Sequence, residues 1–354
     1  MKQQAYISSY TDDGGEGVYY YSFENGKLEL QSLAATAINP SFMVFHPNRQ
    51  TVYTVDEHRD FEGSGGVSAF ERNAEDGSLR LKNTVTSKGA DPCYITIDNA
   101  GSHVIVANYT GGSVATFPAQ SDGTVGEATT YIKHTGETKV NPARQEGPHA
   151  HSINLTPSGK YAIALDLGAD KAVVYKYSSE NGALTVANEF KFKAGDGPRH
   201  LAFAPFNDSW LYAVAELTND IVFLEFDEAN ETLYEIQRVA ALPEDFKGDN
   251  LAAEISILPS GKFLYASMRG HDSLAIFAIN ENTGKLTKVG HQHTGGAHPR
   301  HFAIDPTGEY IIVANKDSHN LVVFKVDQDT GLLTEVPNSR VEHRQPVCIK
   351  FWTH

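Results

Sequence analysis

An all-β, seven-bladed β-propeller with four antiparallel strands per blade is the fold this sequence predicts, and three observations predict it. A cassette of a small dipeptide, an alternating apolar run, a Pro-x-Gly-like turn and a second apolar run recurs along most of the chain. Gly197-Pro198-Arg199-His200-Leu201-Ala202-Phe203-Ala204-Pro205 and His298-Pro299-Arg300-His301-Phe302-Ala303-Ile304-Asp305-Pro306 are its clearest copies. The copies begin at Ser41, Cys93, His151, Arg199, Ala253, Arg300 and Val347, with spacings of 47 to 58 residues, the period of propeller blades. Each unit also holds four β-branched or aromatic segments bounded by turn residues.

Within a unit the elements follow in order. The first strand ends at a hairpin signal such as Pro47-Asn48, Pro157-Ser158-Gly159, Pro259-Ser260-Gly261 or Pro306-Thr307-Gly308. Second strands follow at 52–57, 162–167, 211–216, 264–269 and 311–316. Third strands are strongly β-branched or aromatic, as in Ile221-Val222-Phe223-Leu224 and Leu321-Val322-Val323-Phe324. Fourth strands open after Asp76-Gly77, Asp122-Gly123, Asn181-Gly182, Thr283-Gly284 and Thr330-Gly331. The C-terminus supplies only a first strand, 346–351, and the N-terminus the missing three, 5–10, 17–23 and 26–33. One blade is therefore closed by strands from both termini, which removes two sheet edges. The whole chain, 1–354, reads as a single propeller domain.

Composition narrows the function classes. A content of 40% hydrophobic and 10% aromatic residues is ample for cores between blades, and a formal net charge of −15 argues against nucleic acid or an anionic membrane as partner. No apolar run approaches membrane-spanning length, and Met1-Lys2-Gln3-Gln4 runs straight into a strand without a leader. Two cysteines, Cys93 and Cys348, form no disulfide framework. The expectation is a cytoplasmic protein. No Ser-His-Asp constellation, phosphate loop or dinucleotide fingerprint is present, and no cofactor is expected. His149 and His151 have a spacing that metal sites use, but no thiolate pair or carboxylate cluster accompanies them, so no metal is expected either.

The repeat also maps chemistry. In an antiparallel hairpin the start of the first strand and the end of the second share an edge. His151, Arg199 and Arg300 therefore share a rim with Tyr10, Glu57, Tyr109, Leu167, Glu216, Arg269 and Lys316. Glu216 reaches it if one extra residue is absorbed in the turn 206–210. First strands are innermost in a propeller, so this rim is the mouth of the central channel. An acidic protein thus gathers arginines, a lysine and histidines at one opening, which focuses an anionic small ligand. Long connections at 133–148 and 241–251, carrying Lys139, Arg144 and Lys247, emerge on the same face, as does a long connection at 58–66. His200 and His301 alternate with the arginines and are expected to point into the blade interfaces. Asp56, Asn108, Asp166 and Asn315, one residue before the ring, read as turn caps. Cys93, at the ring position without an evident basic partner, is not expected to be a nucleophile.

These residues resemble the lactonase-type seven-bladed propellers, a family that includes bacterial propeller-type 6-phosphogluconolactonases and fungal carboxy-cis,cis-muconate lactonizing enzymes. The resemblance covers essentially the whole chain. It is carried by Gly147-Pro148-His149-Ala150-His151-Ser152, Gly197-Pro198-Arg199-His200-Leu201-Ala202-Phe203, Val214-Ala215-Glu216-Leu217, Ser267-Met268-Arg269-Gly270-His271-Asp272-Ser273 and the segment 299–308. The family's active-site His, Arg, Glu and Arg would fall on His151, Arg199, Glu216 and Arg269. Ala215 stands where the family usually has Asn, which alters what orients Glu216.

The resemblance implies hydrolysis of a small anionic sugar δ-lactone, 6-phosphogluconolactone foremost. Glu216 would be the general base toward water, Arg199 and Arg269 would stabilise negative charge, and His151 would polarise the carbonyl or carry the proton, with the Glu216 and His151 roles interchangeable. His149, Arg300, Lys316, Glu57 and Arg144 would bind substrate. A lactonizing cycloisomerase using the same residues and a non-catalytic interaction propeller are the alternatives.

Overall fold

The computed structural model describes residues 2–48 and 50–352. Among these, seven antiparallel sheets follow one another around a ring. Six run outward in chain order, beginning with Met43–Phe45, Pro92–Ile97, Ala150–Leu155, Pro198–Ala204, Leu251–Ile257 and Pro299–Ile304. The sixth blade carries a short additional strand, Val341–Glu342, against its third. The seventh sheet pairs Pro346–Trp352 with Gln3–Ser9, followed by Gly17–Glu24 and Lys27–Thr36, so the termini close the circle as the repeat requires.

The hydrophobic cores lie between blades. Ile163 and Leu165 of the third blade pack with Leu211, Ala213 and Leu224 of the fourth, and Ala5, Ile7 and Tyr21 of the closing blade pack with Ile312, Ala314 and Leu321 of the sixth. A latch recurs at three of these interfaces. A buried second-strand tyrosine donates its hydroxyl to the carbonyl of a turn glycine in the next blade: Tyr6 to Gly77 (2.8 Å), Tyr212 to Gly284 (2.7 Å) and Tyr265 to Gly331 (2.9 Å). Those glycines have φ near +70°, and a Cβ at Gly284 would lie 2.4 Å from the Phe223 ring, so backbone freedom and space both require glycine.

One irregularity, repeated blade after blade, builds the channel mouth. The ladder between first and second strands shifts register between Pro92 and Tyr94, Ala150 and Ser152, Pro198 and His200, Ala252 and Ile255, and Pro299 and His301. Cys93, His151, Arg199 and Arg300 are therefore bulge residues with no residue opposite them. A bulge breaks the strict in-out alternation of a strand and re-aims side chains. This corrects the expectation for His200 and His301. Instead of entering the blade interfaces, His200 meets the rings of Phe42, Tyr94 and His151 and the carboxylate of Glu254, all from other blades, and His301 meets Phe42 and Glu254. Bulge residue and successor both face the channel.

One other expectation changes at the rim. The segment 58–66 is a hairpin arm rather than a loop: Thr51–Phe61 and Ser64–Arg72 continue past the sheet and pair Phe61 with Ser64. Asn108, Asn315 and Asp166, before the ring, cap the connections that enter their blades from the preceding one. Asn108 donates to Ser87 O and Ser113 Oγ, Asn315 to Thr294 O, and Asp166 accepts from His134 and from the amides of His149 and Ala169.

Candidate active site

Glu216 follows the second strand of the fourth blade, Asn207–Ala215, and its amide donates to Gly197 O beside the Arg199 bulge. The extra residue is absorbed where Ala204 pairs Asn207 after Phe203 pairs Leu211. Its side chain is 1% exposed. Oε2 lies 3.0 Å from Arg199 Nε and 3.0 Å from Arg269 Nη2, while Oε1 accepts from Arg144 Nη2 at 2.5 Å. The Oε2 contacts are close ion pairs whose angles fall outside hydrogen-bond geometry, so Arg199 Nε and Glu216 Oε2 retain unfilled hydrogen-bonding capacity. Burial alone would raise this carboxyl, but Arg269, Arg199 and Arg144 outweigh it and hold the pKa at about 2. Burial also lowers Arg269 to about 10, which leaves it cationic at neutral pH.

Arg199 and Arg269 are fixed by backbone carbonyls. Arg199 Nη1 donates to Ala253 O at 2.9 Å, and Arg269 donates to Leu251 O and Ala252 O at 3.1 and 2.9 Å. Arg144 arrives from the connection after Thr130–Lys133. That segment is held by buried Gln145, whose Nε2 donates to Leu167 O and whose Oε1 accepts from the Asn141 amide, and by Thr138 on Asp170. Arg144 also donates to Tyr109 Oη.

A second charged group stands beside the first. Arg300 lies 4.0 Å from Glu57 and over the Tyr10 ring, while Tyr10 Oη donates to both Glu57 oxygens at 3.0 Å. Burial raises the Glu57 pKa and Arg300 partly offsets it. His151 is pushed well below its ordinary value by burial first, then by Arg199, His200 and Arg300, so it is a neutral imidazole at pH 7. Cys93 does have a basic neighbour, with Sγ 3.7 Å from His151 Nδ1, but burial and Glu57 push the thiol strongly upward.

Not every expected residue joins. His149 stacks on Tyr109 at 4.5 Å and contacts Tyr109 O and Glu146, so it props the tyrosine that holds Arg144. Lys316 pairs with Asp317 at 2.9 Å, Lys139 with Glu137, and Lys247 with Glu244 O. Tyr10 and Tyr109 are additions, and the register that led to Glu216 had placed both on this rim. So is His298, held at φ +59° and pushed down to about 3 by burial and by Arg269. Among the described residues no three His, Cys, Asp or Glu side chains converge as metal ligands. A surface cavity of about 720 Å³ between the closing and sixth blades contains none of these groups.

A ring of arginines surrounds one buried carboxylate at the mouth of seven blades. The model of the family described as "Lactonase, 7-bladed beta-propeller" matches residues 4–351. The chain belongs to that family. As a lactonase, it has a cyclic ester as substrate. It is 36% identical to the 6-phosphogluconolactonase of Bacillus subtilis over 352 residues, 99% of this chain and 98% of that protein. It is 34% identical to the 6-phosphogluconolactonase of Formosa agariphila, covering 85% of this chain and 86% of that one. The solved structure of the periplasmic gluconolactonase of Pseudomonas aeruginosa superposes with a TM-score of 0.92 at 30% identity, covering 100% of this chain and 99% of that one.

Proposed function

We propose that this mouth hydrolyses a phosphorylated sugar δ-lactone, 6-phosphogluconolactone, to 6-phosphogluconate. The observation that carries the reading is a local charge imbalance. The ion pairs of Arg144, Arg199, Arg269 and Arg300 go to Glu216 and Glu57 alone, an excess of two cations in that layer of a protein whose net charge is −15, with the Glu254 carboxylate acting on Arg199 from the layer beneath. A phosphate monoester brings a charge of about −1.5 to −2 at pH 7 and matches that excess. The two relatives named 6-phosphogluconolactonase support the phosphorylated substrate; the Pseudomonas protein is named for the unphosphorylated one.

Lactone opening adds water to the carbonyl carbon, passes through a tetrahedral oxyanion, and breaks the ring C–O bond as the ring oxygen takes a proton. The carboxylic acid formed then ionises. Glu216 receives the proton of the attacking water. At a pKa of about 2 it is a weak base in the free protein, but a bound dianion competes for its arginines and raises its basicity when substrate is present. Arg199 and Arg269 stabilise the oxyanion. His151, neutral among cations, donates N–H to developing negative charge without carrying positive charge itself. Arg300 and Arg144 hold the distal phosphate, positioned by Glu57, Tyr10 and Tyr109.

The test is acid release from 6-phosphogluconolactone and from glucono-δ-lactone, with carboxymuconate consumption in parallel. The expected result is the highest kcat/KM on the phosphorylated lactone. No acceleration of either lactone above spontaneous hydrolysis sinks the reading, and turnover of carboxymuconate alone replaces it with a lactonizing cycloisomerase.

A further inference from the structure

Five blades turn the same corner before their first strands. Asn39, Asp91, Gly197, His298 and Gln345 each hold a left-handed φ, between +43° and +63°, and each is followed by a proline and then by the ring residue. The corner belongs to the architecture; what differs is the use made of its side chain. Asn39 accepts from the Thr11 amide and donates to Asp12 and to Glu57 O, Asp91 accepts from Arg59, and Gln345 donates to Asp13. Each of these holds a neighbouring segment, and His298 does not. Its backbone is tethered, the amide donating to Asp272 Oδ1 at 2.8 Å and the carbonyl accepting from the Lys316 amide at 3.0 Å. Its ring makes no hydrogen bond among the described residues. Nδ1 lies 3.1 Å from Asp317 Oδ2 at an angle outside hydrogen-bond geometry, and Nε2 has no partner.

Arg300, two residues on, is in the same condition. Arg144, Arg199 and Arg269 all donate hydrogen bonds, whereas Arg300 donates none among the described residues. Its contacts are the long pairing with Glu57 at 4.0 Å and the Tyr10 ring. Both side chains are open to the mouth: His298 is 26% exposed and Arg300 16%, against 3% for Arg199 and 6% for Arg269. The charged groups around the imidazole are Arg269 of the fifth blade, Arg300, Lys316 and Asp317 of the sixth, and Asp272 at its amide. Burial and these cations keep the ring neutral at pH 7, and an anion between it and Arg300 would offset them.

We propose that His298 is a substrate-binding residue which, with Arg300, receives the phosphate of the substrate and takes up a proton as the dianion binds. The inference rests on the reading of the mouth given under Proposed function and assigns its two ends. Arg199 and Arg269, buried and already hydrogen-bonded, stay with the carbonyl end beside Glu216, while the accessible pair on the sixth blade takes the distal end. A guanidinium with no donor engaged presents its whole fork to phosphate oxygens. The proton comes from solvent, and no bond of the substrate changes in this step.

Sulfate is the probe, because it is a dianion with no titrating proton near neutral pH and its binding needs no turnover. Asparagine stands at the same corner in the first blade, so H298N keeps the backbone conformation. Wild-type affinity for sulfate, measured by calorimetry, should rise about 5- to 10-fold from pH 8 to pH 5.5, with proton uptake seen as a binding heat that depends on the buffer. H298N should change less than about twofold and take up no proton. R300K, a point charge in place of a fork, should bind sulfate about 10-fold more weakly than wild type at either pH. In catalysis, H298N should lower kcat/KM on 6-phosphogluconolactone about 10-fold more than on glucono-δ-lactone, a ratio that a merely structural role leaves unmoved. Protonation of Glu57 or Asp317 would also favour an anion, and both remain in H298N, so a pH dependence that survives in H298N belongs to them and overturns the proposal. Wild-type protein that binds no sulfate, R300K binding as tightly as wild type, or an H298N that slows both lactones alike overturns it too. A wild-type protein with no lactone turnover overturns the reading of the mouth instead, and sulfate binding still decides the role of His298.

Discussion

Arg144 and Glu216 meet at 2.5 Å across 72 residues of chain, one from an irregular connection between the second and third blades, the other from the end of a strand in the fourth. Glu216 would otherwise be a rigid rim residue, fixed by its blade. The pairing ties a surface segment to the buried carboxylate and completes its cage of three guanidiniums. Removing Arg144 therefore changes the site without opening a core.

Arg144→Met tests that division. Loss of the charge-assisted hydrogen bonds to Glu216 and Tyr109 is expected to lower kcat/KM about 10- to 100-fold. The side chain is 29% exposed, and thermal stability should stay within about 1 kcal/mol of wild type. A variant that loses stability in proportion to activity would show that the segment 134–149 holds the fold instead.

Glu216 predicts a pH dependence of stability. Its carboxyl titrates at about 2 in the fold against 4.5 for an ordinary Glu. A depressed carboxylate contributes stability above the unfolded value and loses it as pH falls through the folded one. The contribution is on the order of 3 kcal/mol, lost between about pH 5 and pH 2. Glu216→Gln leaves three guanidiniums without their shared anion and should be less stable at neutral pH. Its deficit should shrink as the solution is acidified, measured as thermal midpoints across that range. A deficit independent of pH would refute the electrostatic account.

The blade count and the ring of first-strand residues were legible because spacing and turn chemistry are local properties of sequence. Glu216 was within reach because one extra residue in a turn restored it to the rim. His200 and His301 were misplaced because alternation was assumed to hold through the cassette, and a bulge at Arg199 and Arg300 leaves no local mark on composition. The arm at 58–66 looked like a loop because its charged tip, with Arg59, Asp60 and Glu62, lacks the apolar alternation of a half-buried strand; projecting from the sheet, it has no core face to require one. Nothing in the spacing could show that Arg144, rather than Lys139 or Lys247, turns inward. That depends on Gln145 anchoring its own segment against Leu167 O.

Asp56 carries the opposite sign. Burial raises its carboxyl from 3.8 to about 6, only partly offset by the Ser68 and Thr54 hydroxyls. A raised acid contributes full stability below pH 3.8 and loses it as pH rises through 6, because the fold then holds a buried anion. Asp56→Asn should therefore stabilise the protein at about pH 8, by at most about 3 kcal/mol, and the gain should vanish below about pH 4. Equal midpoints for both proteins at alkaline pH would show that the anion is solvated or paired.

Cys93 and Cys348 are both buried, and burial raises both thiols, Cys348 to about 11. Thiolate is the reactive species. Neither should react with a disulfide reagent at mild pH in the native protein, and both should react once guanidinium unfolds it. Stoichiometric labelling of native protein would mean that the channel opens around Cys93.

Trp352 joins Tyr6, Val18 and Ala34 in closing the ring against the first blade. Its ring, 4% exposed, lies 4.7 Å from Phe45 of the first blade and 6.2 Å from Tyr6 of its own, and the Arg72 guanidinium sits 4.4 Å above it. Arg72 Nε in turn donates to Tyr6 Oη at 2.8 Å. One side chain near the C-terminus thus joins the closing blade to the first through an aromatic contact and a cation. Trp352→Ala should cost about 3–5 kcal/mol from lost burial and the cavity left behind. The strand Pro346–Trp352 starts at the mouth proposed as the active site and ends at the far side, so kcat at low temperature should be unchanged while the denaturant midpoint falls. Leu30→Ala, at a position 51% exposed on the outer strand of the same blade, is the control, expected within about 0.5 kcal/mol of wild type. If the two substitutions shift the midpoint equally, closure rests on the backbone ladder between the terminal strands and not on this side chain.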